Sequence, residues 1–204
     1  MRIKRFPDGL IKKMKARLCA RGDLQQAGIH YHDTLYAPVV QWSTVRILLI
    51  LECLLDLKSK QGDVKAAFLH SKLKDGEEFY LEMPQGFKQY DRSGRSKVVR
   101  LKRHIYGLRQ SPRAFWQYMV EKMEECDMVQ SELDPCLFVG TEVIAVIFVD
   151  DILMWSRKEE SITSLGINLR KRGVDLEEES DSAGFLGIDM KRIPGDGEDG
   201  GKIE

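Results

Sequence analysis

Three features of the sequence predict an α+β domain. Val143 to Val149 and Ile152 to Trp155 are short apolar, β-branched runs separated by Asp150-Asp151, the pattern of a tight antiparallel hairpin with both carboxylates at its tip. Two longer stretches, Ser43 to Leu57 and Ser111 to about Met128, carry apolar residues at helical spacing. Further short strand signals lie between and after them. Together they imply antiparallel strands gathered into a sheet, with helices packed on one face.

In chain order, residues 1 to 24 alternate basic and apolar positions around Asp8-Gly9, which predicts a basic hairpin. Such a hairpin suits closure over phosphates and suits equally a solvated edge. Ser43-Thr44 then open the run Val45, Ile47, Leu48, Leu49, Ile50, Leu51, Leu54, Leu55 and Leu57, a well-buried helix of about four turns with a Ser or Thr cap. A short strand ends at Asp63 and Val64, and Ala66 to Leu69 begin a helical turn. Glu78 to Pro84 alternate with period two and stop at proline. Residues 88 to 97 form a polar, basic loop, and Val98 to Leu101 another strand. Ser111 is placed as an N-cap with Pro112 at the first helical position, ahead of the stripe Phe115, Trp116, Met119, Val120 and Met123. Cys136 to Val139 and the central hairpin follow as neighbouring strands. A polar helix covers Glu159 to Arg172, and Phe185 to Met190 form a last strand. The acidic, glycine-rich end, residues 194 to 204, has the composition of a flexible segment.

The chain has 204 residues and 43% hydrophobic content, enough for one substantial core. Formal net charge is zero but unevenly spread. Basic residues crowd the first 21 positions and the stretch from Lys88 to Arg113, while the chain turns acidic after residue 174. That pattern suits a polyanion on one face. The four cysteines, Cys19, Cys53, Cys126 and Cys136, include no C-x-x-C pair, so neither a zinc ribbon nor a redox pair is indicated. Reduced thiols in an intracellular protein are the simpler expectation. No apolar run approaches a membrane span, and residues 1 to 15 carry charges where a signal peptide would carry its apolar core.

The adjacent acids need an explanation. Two like charges about 4 Å apart repel by about 4 kcal/mol at an effective dielectric near 20, and the flanking runs contain no Lys or Arg. A divalent cation resolves the conflict; so does a fully solvated turn. Asp63, at a strand end beside a helical turn, reads by itself as a helix cap.

Order decides what each acid alone leaves open. Asp63 in Asp-Val-Lys-Ala-Ala-Phe-Leu-His, the turn Tyr106 to Ala114, and Phe148-Val149-Asp150-Asp151 occur in the sequence of the reverse transcriptase palm motifs. The phrases Lys15-Ala16-Arg17-Leu18, Tyr36-Ala37-Pro38-Val39-Val40, Glu82 to Phe87, Asp134-Pro135-Cys136-Leu137-Phe138 and Phe185-Leu186-Gly187-Ile188 also resemble copia-type long-terminal-repeat retrotransposons. The resemblance runs from about residue 3 to 193. It implies right-hand polymerase fingers and palm over residues 1–193, with fingers mainly about 1–60 and 75–105, and no thumb. It also implies a place within a Pol polyprotein, beside integrase and ribonuclease H, in cytoplasmic particles or the nucleus.

By that resemblance Asp63, Asp150 and Asp151 are the catalytic acids, and with the Val64 carbonyl they hold two Mg²⁺ ions, Mn²⁺ substituting. The implied substrates are an RNA template, a DNA primer and deoxynucleoside triphosphates. Lys15, Arg17, Phe68, Tyr106 and Gly107 are the implied triphosphate contacts, with the Phe68 ring excluding a 2′-hydroxyl. Without the motif Phe68 reads as a core aromatic. Arg109, Gln110, Phe148 and Gly187 are implied on the nucleic-acid side. Lys171 or Arg172 is the candidate for protonating pyrophosphate. Two positions depart from the family: Phe148 stands where Tyr is usual, and Gly62 replaces a larger apolar residue, which is expected to loosen the strand. A relic that binds nucleic acid without catalysis is the alternative implied by a truncated chain.

Overall fold

A computed structural model describes residues 2–5, 9–31, 35–179, 192–193 and 202–203. The elements are β1 (Arg2–Arg5), β2 (Ile11–Lys15), α1 (Trp42–Leu55), β3 (Lys58–Val64), β4 (Tyr80–Glu82), β5 (Val98–Arg100), α2 (Ser111–Glu124), β6 (Val129–Gln130), β7 (Leu137–Val139), β8 (Ile144–Phe148), β9 (Asp151–Ser156), α3 (Glu159–Lys171) and β10 (Leu176–Glu179). A 3-10 turn at Ala67–His70 follows β3. The expected strand at Phe185 to Met190, with Gly187, lies outside the described residues. Within the end expected to be flexible, Lys202–Ile203 pairs antiparallel with Arg192–Ile193.

The α+β class is as expected. Six antiparallel strands form one sheet in the order β10-β3-β9-β8-β7-β6, while β1-β2 and β4-β5 are separate two-stranded ribbons. The helices do not share one face. Ala145, Ile147, Ile152 and Met154 point to a core with Phe115, Met119 and Met123 of α2 and Ile162, Leu165 and Leu169 of α3. The alternate residues Val146, Leu153 and Trp155 point the other way and meet Val45 and Leu48 of α1. Central strands that are apolar on both sides need cover on both sides, so α1 takes the second face. Glu52 of α1 is buried there, accepting from Trp155 Nε1 at 2.7 Å and from Ser59 Oγ at 2.9 Å.

Among the described residues, α1 is covered mainly on the side that faces the sheet. Val45 and Leu48 are buried, whereas Ile47, Ile50 and Leu54 are exposed, contrary to the expected well-buried helix. Its cap also differs from the expected Ser43 or Thr44. The helix starts at Trp42, and Asp134 supplies the acceptor: its Oδ2 receives the Gln41 amide at 3.0 Å and the Thr44 hydroxyl at 2.6 Å. In α2, Ser111 is the first helical residue, and its hydroxyl donates to the Ile105 carbonyl at 2.7 Å instead of capping. That helix ends at Glu124, short of Met128.

Gly62 does not loosen its strand. β3 runs seven residues and is paired on both edges, with β9 and with β10. A Cβ at Gly62 would lie 2.7 Å from Leu176 Cδ1, so the missing side chain makes room for a leucine from the edge strand. β10 itself was not legible as a strand, because three of its four residues are glutamates.

Candidate active site

The central hairpin turns one residue earlier than its sequence suggests. Phe148 pairs with Asp151, so Val149 and Asp150 form the two-residue loop and Asp151 opens the returning strand. Val149 has φ +54°, a left-handed conformation that is strained for a β-branched residue and is of the order of 1 to 3 kcal/mol above a relaxed one. The strained turn is held from outside: the Val64 amide donates to the Asp150 carbonyl at 2.8 Å.

That bond and the β3–β9 register bring the three acids together. Asp63 lies directly opposite Asp151. Cross-strand partners share a face, with Cβ atoms roughly 4.5 to 5.5 Å apart, and Asp150 adjoins them at the turn. They occupy the end of the sheet face whose other end carries α1. Val64 is buried on the opposite face. All the oxygens on offer are hard donors of the kind Mg²⁺ selects. Among the described residues no three Asp, Glu, His or Cys side chains converge on a common metal position.

Tyr106 joins the acids to the rest of the site. Burial, then the charge of Asp150, raise the pKa of its hydroxyl above the usual phenol value, so the proton stays on tyrosine. The Phe68 ring stands edge-on to Tyr106 with centroids 4.5 Å apart and to Phe115 at 5.9 Å. Phe68 is thus a buried core aromatic that also backs Tyr106. The Arg17 guanidinium sits 5.4 Å from the Tyr106 ring centroid. Lys15 closes β2, two residues earlier.

Arg17 is positioned by a contact between two backbone segments. The Ala20 amide donates to the Tyr106 carbonyl at 2.8 Å. Gly107 has φ +92°, and a Cβ there would collide with the Ala20 backbone; a Cβ at Gly22 would collide with the Gly107 carbonyl. Arg109 and Gln110 belong to this junction. Arg109 donates from Nε to the Gly22 carbonyl at 2.7 Å and from its amide to Gln25 Oε1 at 2.8 Å, and Gln110 Oε1 accepts from Gln25 Nε2 at 3.1 Å. Phe148 is half-buried and packs on the α1 side of the sheet, in register with Asp151. Lys171 and Arg172 end α3, where Arg172 pairs with Glu125 at 3.6 Å, and are not gathered with the acids.

The structure adds residues that sequence reasoning missed. Glu177 of β10 is opposite Asp63, on its other side from Asp151, and pairs with Lys65 at 3.3 Å. Gln61, two residues before Asp63, donates from Nε2 to Asp151 Oδ1 at 3.3 Å. The period-two spacing of Gln61 and Asp63 was the available signal. Glu177 carries no such signal, since its strand is a run of glutamates without apolar alternation.

Residues 4–197 match the family described as reverse transcriptase (RNA-dependent DNA polymerase). The chain is 31% identical over 196 residues to the retrovirus-related Pol polyprotein from transposon TNT 1-94 of Nicotiana tabacum, covering 94% of this chain and 14% of that protein. It is 34% identical over 191 residues to the corresponding polyprotein from transposon RE2 of Arabidopsis thaliana, covering 92% and 13%. The transposon Ty1-H Gag-Pol polyprotein of Saccharomyces cerevisiae is 30% identical over 190 residues, covering 87% and 10%. The chain therefore spans a small part of each relative's length. A match across nearly all of its own length, carrying the three acids in order on one sheet end, makes this chain a member of the reverse transcriptase family of copia- and Ty1-type retrotransposon Pol polyproteins.

Proposed function

We propose that this chain is the fingers and palm of an RNA-directed DNA polymerase, adding deoxynucleotides to a primer 3′-hydroxyl along an RNA template. The observation that carries the reading is the register: Asp63 opposite Asp151, with Asp150 locked beside them through the Val64 amide. Asp63, Asp150, Asp151 and the Val64 carbonyl are the donors for two Mg²⁺ ions, or Mn²⁺ in their place. When bound, such ions lower the pKa of an attacking hydroxyl and stabilise a leaving pyrophosphate. The chain's own residues do the rest. The hairpin and β3 hold the carboxylates on a rigid sheet end, and neutral Tyr106 faces the charge of Asp150. Phe68, wedged against Tyr106, closes the space a 2′-hydroxyl would need. Arg17, with Lys15 nearby in the chain, offers cationic contacts to the triphosphate.

Residues of about 1–60 and 75–105 are the fingers in this reading, and the remainder is the palm. Lys88, Arg92 and Lys97 are exposed on the loop joining the β4–β5 ribbon. They suit sequence-independent contacts to a nucleic-acid backbone, which weaken steeply with salt. Gly187 is placed on the nucleic-acid side by resemblance alone. Integrase and ribonuclease H segments of a longer polyprotein are the proposed neighbours, in an intracellular setting. A second reading, a fragment that binds nucleic acid without catalysis, needs only the exposed basic residues of the β4–β5 loop.

Primer extension on an RNA template with a DNA primer, in Mg²⁺ and in Mn²⁺, separates the two. Extension by the chain and its loss in Asp150→Asn, with salt-sensitive RNA–DNA binding retained in both, is the expected outcome. Binding without extension in either metal would establish the second reading.

A further inference from the structure

We propose that Gln61 is a positioning residue for Asp151 and for the cation held there, an inference that rests on the polymerase reading above. Gln61 lies two residues before Asp63 on β3, so both side chains leave the same face of the sheet. It is 5% exposed. Its Nε2 donates to Asp151 Oδ1 at 3.3 Å, which sets the orientation of the amide, since the reverse orientation would press two acceptors together. The other amide atom, Oε1, is then buried and has no hydrogen-bond donor among the described residues.

A buried acceptor left unsatisfied costs about 1 to 3 kcal/mol. An unbranched apolar side chain would avoid that penalty, and the setting favours one: Gln61 pairs across β9 with Leu153, which is fully buried. Packing therefore does not account for an amide at this position. Two hydrogen-bonding functions beside a carboxylate do. The donated N–H holds one Asp151 oxygen and so fixes the plane of the carboxylate. The acceptor Oε1, next to it, suits an O–H of the hydration shell that Mg²⁺ retains when few carboxylates bind it. Groups that orient ligating carboxylates in this way typically change metal affinity tenfold or more when removed.

The test is a Mn²⁺ titration of the full chain, followed by electron paramagnetic resonance, beside thermal melts of the same samples. Gln61→Met keeps the length and removes both polar atoms. The expected result is Mn²⁺ binding weakened about tenfold with a melting temperature equal to or above that of the parent, since an unsatisfied acceptor has been removed. Unchanged Mn²⁺ affinity, or weaker binding only in company with a lower melting temperature, would overturn the proposal. Gln61→Leu provides the same comparison should the methionine variant not fold, and failure of both to fold would make Gln61 structural. Asp63→Asn separates the underlying reading: if it too binds Mn²⁺ like the parent, the cation site itself is wrong and the role of Gln61 falls with it. If Asp63→Asn loses binding while both Gln61 variants keep it, only the Gln61 assignment fails.

Discussion

Asp134 shows how one side chain can serve several elements. Its Oδ2 receives the Gln41 amide and the Thr44 hydroxyl at the start of α1, and its Oδ1 receives the Cys136 amide at 2.9 Å, just before β7. The residue is 2% exposed. The phrase Asp-Pro-Cys-Leu-Phe is thus a structural joint between a helix and a strand on either side of the second core. Asp134→Ala leaves these donors without their acceptor and should destabilise the fold by about 3 kcal/mol. Asp134→Asn keeps one carbonyl oxygen and should recover part of that loss. Urea denaturation of the three proteins measures both effects; equal stability for parent and alanine variant would mean that water replaces the carboxylate without penalty. Cys136 is a neighbour in the same joint, and burial pushes its thiol up to about 12, so it behaves as a small apolar residue and not as a nucleophile.

At the scale of elements, the site depends on two dockings that are far apart in sequence. One is the hairpin tip onto β3. The other is the segment around Ala20 and Gly22 onto the turn around Tyr106 and Gly107, where each glycine removes a Cβ that would strike the other segment's backbone. Gly22 has an ordinary negative φ, so its requirement is purely one of space, whereas Gly107 also needs its left-handed conformation. Gly22→Ala should therefore part the segments without altering either one's own backbone preference. The expected penalty is about 1 to 3 kcal/mol, the range for forcing extra volume into a packed contact. Hydrogen exchange should show it as faster exchange at the Ala20 amide, with the β3 and β9 amides unchanged. In extension assays the same variant should raise the KM for triphosphate, because Arg17 reaches Tyr106 through this docking. Uniformly faster exchange throughout the sheet would show instead that the junction supports the whole fold.

The whole molecule carries a pH dependence through His104. It is 2% exposed, packed beside the Ser111 hydroxyl, and its amide donates to the Ser71 carbonyl. Burial, the largest influence, holds its pKa below the usual 6.5, with the charge of Glu77 opposing and that of Lys74 reinforcing the shift. The folded chain then binds fewer protons than the unfolded chain between its own depressed pKa and about 6.5. Stability contributed by neutral His104 is present above the unfolded value and is lost as pH falls from about 6.5 through the folded pKa. Chemical denaturation at pH 7.5 and 5.5 should show the parent losing stability on acidification, and His104→Gln losing less. An identical loss in both would assign the effect to other groups.

The hairpin, the three acids and their order, the antiparallel class and the helix boundaries of α3 were legible in the chain because each is a local pattern of apolar periodicity, turn residues or motif spacing. What the chain did not disclose depends on partners distant in sequence. Trp155 and Leu153 read as buried, but only the packed sheet shows that they face α1 while Ile152 and Met154 face α2 and α3. Thr44 reads as a cap, yet the acceptor at that helix start comes from Asp134, 90 residues away. The glutamate run of β10 has no apolar alternation, yet edge pairing with β3 makes it a strand, where Glu177 pairs with Lys65 and Glu178 with Arg170. Local pattern marks which residues are candidates for the chemistry. Register and docking decided which of them meet, because the free energy that selects among long-range contacts resides in the burial and pairing of groups that only the folded chain brings within reach of one another.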